Sequence, residues 1–115
     1  MMIFQKNIEM RMRTKKKVKA MARIYISGPM TGDKNYKERF LKAEEDLKEK
    51  GHDVINPARV DMILHNASYE DFMKVDMFLL DMCDAIYMLK GWRKSCGANR
   101  EYGYALAKDY IIFEE

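Results

Sequence analysis

From Arg23 onward the chain alternates short, almost unbroken apolar runs with longer stretches whose apolar positions recur every three to four residues. The short runs predict strands at about 23–27, 53–56, 84–89 and 110–113. Between the first two, Tyr36, Phe40, Ala43 and Leu47 fall on one face of a helix, and Gly51 supplies its C-terminal stop. A loop from Pro57 leads to a second helix at about 69–82, which Ser68 and Asp71 open with a capping-box spacing. The third helix, at about 97–108, carries Gly97, Ala98, Gly103, Ala105 and Ala107, small side chains that allow close approach to a sheet or to another subunit. Strands that alternate with helices predict a layered α/β fold around a mainly parallel sheet of four to five strands.

At 115 residues the chain suits one domain, 22–115, preceded by an arm of residues 1–21. The arm carries seven basic groups against Glu9 alone, so its net +6 leaves the body at −3 although the whole chain is +3. Such an arm could attract nucleic-acid phosphates through counterion release. A solvated extension, or sequence upstream of a start at Met21, is the preferred reading, because only Phe4 interleaves an aromatic and no nucleic-acid motif is present. No apolar run approaches the roughly 18 residues of a membrane span, and a secretory core is missing, so a cytoplasmic location away from membranes is expected. Cys83 and Cys96 are too few for a disulfide framework, and His52 and His65 add no zinc spacing; reduced thiols, no metal and no cofactor are expected.

In open parallel sheets ligands bind beyond the carboxyl ends of the strands, where loops diverge and helix N-termini point inward. Three loops of unusual composition fall there: Ser27-Gly28-Pro29-Met30-Thr31-Gly32, Asn56-Pro57 and Gly91-Trp92-Arg93-Lys94-Ser95-Cys96-Gly97. The first has neither the dinucleotide fingerprint nor a Walker loop, which removes most support for NAD-dependent and ATPase readings. Ser95 and Gly97 precede a helix whose free N–H groups could hold a phosphate or carboxylate; equally, Ser95 could simply cap that helix.

Asp76 lies within about 60° of Phe72, Leu79 and Cys83 around the second helix, on the face expected to be covered. A buried carboxyl is either satisfied by donors or kept for proton transfer. Asp84, just before the third strand, is expected to bind local backbone. Glu101 projects one turn beyond the proposed anion-binding N-terminus, beside the small face of Ala98 and Ala105; a lone helical glutamate is ordinarily solvated. Trp92 and Tyr87 could stack on a base or simply pack. Met62, Met73, Met77, Met82 and Met88 are expected to fill the core.

Taken in order, Ile24-Tyr25-Ile26-Ser27-Gly28-Pro29-Met30-Thr31-Gly32, Asn35, Phe40, Gly51-His52-Asp53-Val54-Ile55-Asn56-Pro57-Ala58, Asp76, Cys83-Asp84-Ala85-Ile86, Gly91-Trp92, Ser95-Cys96-Gly97-Ala98 and Glu101 resemble a small family found in phages and bacteria. That family looks like a branch of the nucleoside 2-deoxyribosyltransferase superfamily, which also contains the 2'-deoxynucleoside 5'-monophosphate N-glycosidases. The likeness covers about residues 23–113 and is more specific for the small family than for the activity.

The resemblance implies a flavodoxin-like (Rossmann-like) three-layer sandwich and a homodimer. It also implies cleavage of the N-glycosidic bond of a deoxynucleoside or its 5'-monophosphate through a covalent deoxyribosyl intermediate. Glu101 matches the nucleophile and Asp76 the supporting aspartate, while Ser95 and Gly97 resemble the phosphate-binding loop. Tyr25 and Gly28 match the first-strand segment along the sugar and base. Pro29, Asn56 and Trp92 complete the expected substrate-binding set. The superfamily's transferases continue beyond the fourth strand into a segment that completes a neighbour's pocket, whereas the sequence here ends at Glu115. Hydrolysis is therefore the rival to transfer. A non-catalytic nucleotide sensor and a nucleic-acid accessory protein using the arm are the readings from other classes.

Overall fold

A computed structural model of the chain describes residues 21–115. The basic arm expected over residues 1–21 therefore lies, except for Met21, outside the described residues. The elements run β1 (Arg23–Ser27), α1 (Tyr36–Glu49), β2 (Asp53–Ile55), a 3-10 turn (Pro57–Met62), α2 (Tyr69–Asp81), β3 (Ala85–Met88), a second 3-10 turn (Trp92–Lys94), α3 (Cys96–Ala107) and β4 (Ile111–Glu114).

All four strands are parallel, in the order β2-β1-β3-β4. The chain steps outward from β1 to β2, then returns across β1 to reach β3, so α1 covers one face and α2 with α3 the other. Side-chain alternation divides the core accordingly. Ile24, Ile26, Ala85, Tyr87, Ile111 and Phe113 meet Phe40, Ala43 and Leu47 of α1. Tyr25, Ile86, Met88 and Ile112 meet Leu80 of α2 and Ala98 and Ala105 of α3. Both faces of the sheet are covered, which explains why its strands read as continuous apolar runs. The result is a three-layer α/β fold with a four-stranded parallel sheet, consistent with the flavodoxin-like class.

Local signals act where the pattern placed them. Ser68 Oγ accepts the Asp71 amide at 3.0 Å while Asp71 accepts the Ser68 amide at 3.0 Å, a reciprocal cap that opens α2. Gly51, at φ 92, turns the chain out of α1 and donates its amide to Lys48. Asp84 accepts the Arg23 amide at 2.9 Å, the local backbone role expected of it.

Two expectations change. The buried stripe of α2 is Met73, Asp76 and Leu80, with Phe72 and Leu79 only partly buried, although Asp76 does lie on the covered face as expected. Met73 and Met88 are buried, but Met62 and Met82 are exposed, because each lies at the end of a helical segment where the chain turns away from the sheet. Among the described residues no helix is long and apolar enough to cross a membrane, and no group of His, Cys, Asp and Glu is arranged to hold a metal ion. Cys83 is a buried free thiol and Cys96 an exposed one.

Candidate active site

The strand order reverses between β1 and β3, the point at which sheets of this kind open a crevice. A cavity of about 850 Å³ occupies it. Its wall is drawn from the segments that follow three strands: Gly28 to Thr31 after β1, Pro57 and Asp61 after β2, and Lys94 to Ala98 after β3. Tyr69, Phe72, Met73 and Asp76 of α2 and Tyr36 and Phe40 of α1 complete it, with Glu101 of α3. The volume is that of a small-molecule site.

Gly28 is required by close approach. A Cβ there would lie 2.8 Å from Leu89 Cβ, so only glycine lets the loop after β1 pass the end of β3. Gly97 is similar in kind: a Cβ would come within 3.3 Å of Met73 Sδ, so its bare backbone lets α3 begin tight against α2.

Glu101 is 5% exposed, and its two carboxylate oxygens are held separately. Tyr25 Oη donates to Oε2 at 2.6 Å, and Ser27 Oγ donates to Oε1 at 2.6 Å. Both donors come from the same face of β1, two residues apart, which is the strand period. Burial pushes the Glu101 carboxyl up to about 7, opposed by the Ser27 and Tyr25 hydrogen bonds and the charge of Arg100. Burial, then the Glu101 and Asp76 charges and the Glu101 bond, drive the Tyr25 phenol well above its ordinary range, so it stays a neutral donor.

Asp76 is 8% exposed and lines the same cavity, but its Oδ1 has no hydrogen-bond partner. Burial first, and then the charges of Glu101 and Asp61, push it up to about 7. Two carboxyls therefore share one low-dielectric space in different surroundings. The one with two short O–H donors is the better anion, and the one without a donor keeps the proton. Such a pair offers a nucleophile and an acid together near neutral pH.

The remaining predicted residues separate into two groups. Gly28, Pro29, Ser95 and Gly97 line the cavity with Asp76 and Glu101. Ser95 also caps α3, accepting the Ala98 amide at 3.2 Å, a bond that leaves its hydroxyl hydrogen unused. Tyr25 lies under the cavity rather than in its wall, fully buried and joined to Glu101.

Asn56 and Trp92 are not in the wall. Asn56 is a buried brace that donates to Glu44 at 2.9 Å and accepts the Ala58 amide at 2.9 Å. Trp92 packs into the α2–α3 side of the core against Tyr102, with ring centres 4.5 Å apart. Tyr87 is buried on the opposite, α1 side of the sheet.

Ser27 and Lys94 belong to loops expected beyond the strand ends but neither is singled out by the sequence, while Tyr36 is expected only on the core face of its helix and Asp61 not at all. Ser27 had a legible signal, since a hydroxyl in phase with Tyr25 on an apolar strand must find a partner. Asp61 had none, because the turn after Asn56-Pro57 has no periodicity.

Fold and cavity together define a parallel α/β protein with a carboxylate-lined cleft at the switch point of its sheet. Residues 22–113 match the family described as a domain of unknown function, DUF4406, and the chain belongs to that family. No curated protein matches the chain.

Proposed function

We propose that this protein is a nucleoside 2-deoxyribosyltransferase-like enzyme that cleaves the N-glycosidic bond of a deoxynucleoside or its 5'-monophosphate. The observation that carries the reading is that Glu101 and Asp76, from two helices, line one cavity of about 850 Å³ and act on each other electrostatically, with Glu101 gripped by Tyr25 and Ser27. Departure of a base from a deoxyribose develops positive charge at the anomeric carbon and negative charge on the base nitrogen. The first needs an anion beneath the sugar and the second a proton.

In this reading ionised Glu101 attacks C1′ as the bond to the base breaks, forming a deoxyribosyl ester. Protonated Asp76 delivers its proton to the leaving base. Water, or a second base, then attacks C1′ and releases Glu101, and Asp76 takes back the proton from that nucleophile. The reading carries with it the homodimer implied by the family resemblance and a place in the cytoplasmic nucleotide pool.

Lys94, Ser95 and Gly97 stand together on the cavity wall at the start of α3, and they favour a second form of the same chemistry. A lysine charge, a hydroxyl and a helix N-terminus suit a 5'-phosphate, which points to a 2'-deoxynucleoside 5'-monophosphate N-hydrolase.

The test is chromatographic detection of free base after incubation with a mixed pool of deoxynucleosides and their monophosphates. Glu101→Gln is expected to abolish release by at least about a thousandfold while keeping the circular dichroism of the wild type. Saturable nucleotide binding without base release would instead identify a sensor, and equal turnover by wild type and Glu101→Gln would remove the glutamate from the mechanism.

A further inference from the structure

The two ends of the cavity differ in charge. In the order β2-β1-β3-β4, the turns after β2 and β3 lie on opposite sides of β1, two strand spacings or roughly 10 Å apart. The β3 end carries Lys94 and the first turn of α3, and Glu101 is tied to β1 between the two ends. The β2 end carries a third carboxylate, Asp61, which lines the same cavity and accepts the Tyr36 hydroxyl.

Asp61 is held in place from behind. Arg59 donates through Nε and Nη2 to the two oxygens of Glu44, each at 2.9 Å, and Asn56 donates to the same Glu44 at 2.9 Å. Glu44 and Tyr36 both belong to α1, so one helix fixes both the turn and the carboxylate on it. The Asp61 charge also reaches Asp76 and helps to keep it protonated. One hydroxyl satisfies only one of the roughly four acceptor sites of a carboxylate, so Asp61 still has both oxygens to offer.

We propose that Asp61 reads the base: its carboxylate accepts the adjacent N1–H and N2–H donors of a guanine ring, selecting guanine substrates at this site. The inference rests on the nucleoside reading given above. With phosphate at Lys94 and sugar over Glu101, the far edge of the base reaches the β2 end. Guanine presents two parallel donors there, and two carboxylate oxygens meet them as they meet a guanidinium. Hypoxanthine has one donor of the pair. Adenine and cytosine put a ring acceptor beside their amine, and thymine flanks its N–H with two carbonyls, so each sets an oxygen or nitrogen lone pair against the Asp61 charge.

The experiment is calorimetric titration of the full chain, as Glu101→Gln to keep ligands intact, with the deoxy-5'-monophosphates of guanine, hypoxanthine, adenine, cytosine and thymine. The guanine nucleotide is expected to bind about tenfold tighter than the hypoxanthine nucleotide, the loss of one hydrogen bond to a charged group. Asp61→Asn should bring the two within about threefold of each other, and Tyr36→Phe, which keeps the charge but loosens its aim, should leave an intermediate ratio. Wild-type base release on the same five compounds runs in parallel. Guanine preference in binding without base release keeps the recognition and defeats the glycosidic reading. Release from all bases at equal kcat/KM does the reverse. A ratio unaltered by Asp61→Asn overturns the proposal, and failure to bind any of the five overturns both.

Discussion

Glu101 and its two donors are the smallest unit on which the proposed function turns. Each hydroxyl pulls the Glu101 carboxyl down against the burial that pushes it up to about 7. Removing one donor should therefore raise it further. Ser27→Ala and Tyr25→Phe are each expected to move the acid limb of the pH profile of kcat/KM upward by about one unit and to lower kcat about tenfold. A side chain that only filled space would leave the limb where it was, so the profile separates positioning from packing. If Asp76 is the proposed acid, it governs the other limb: activity should fall as pH rises through about 7 and Asp76 loses its proton. Neither limb was legible in the chain, where periodicity put Asp76 on a covered face but said nothing of donors. Glu101 was marked by the family resemblance but by residue type alone read as an ordinary solvated residue, and its donors Tyr25 and Ser27 come from 76 and 74 positions away in sequence.

At the scale of elements, the junction of β1 with β3 fixes the cavity. The loop after β1 crosses the end of β3 with no room for a side chain at Gly28, and Leu89 donates its amide to the Ser27 carbonyl at 2.8 Å beside it. Gly28→Ala should cost about 1–3 kcal/mol through overpacking and displace residues 28–31 from the cavity wall. Chemical denaturation reads the first effect, and loss of nucleotide affinity reads the second. The helices themselves were readable, down to the Ser68–Asp71 cap, because caps and apolar stripes are local. The turn from Pro57 to Met62 was read as a plain loop. Its 3-10 course depends on Asn56, Arg59 and the buried Glu44, partners on two elements that no local pattern joins.

The whole molecule should record its buried charges in how stability varies with pH. Arg59, Lys48 and Asn56 outweigh the burial of Glu44 and hold its carboxyl at about 2, below its ordinary 4.5. The stabilisation from Glu44 is therefore complete above pH 4.5 and is lost as pH falls toward 2. Asp76 runs the other way. Its folded value lies above the unfolded one, so the folded state holds its proton longer and stability declines as pH rises from about 4 through about 7. Asp76→Asn should gain on the wild type over that interval by about 1–3 kcal/mol while losing activity. Glu44→Gln should lose most above pH 4.5 and converge on the wild type near pH 2. Urea midpoints across pH, at constant slope, check both.

By itself the sequence determined the α/β alternation, the extent of the helices, the end of the sheet at which the cavity opens, and two acidic residues worth attention. These follow from periodicity and turn chemistry, which act over a few neighbouring residues. Tertiary structure alone decided that Asn56 and Trp92 brace and pack outside the cavity wall, that Asp61 enters that wall, and that Glu101 is gripped while Asp76 is left without a donor. The reason is that burial and hydrogen-bond partnership are properties of chain segments brought together from far apart, and a carboxyl's chemistry is set by those neighbours and not by its place in the chain.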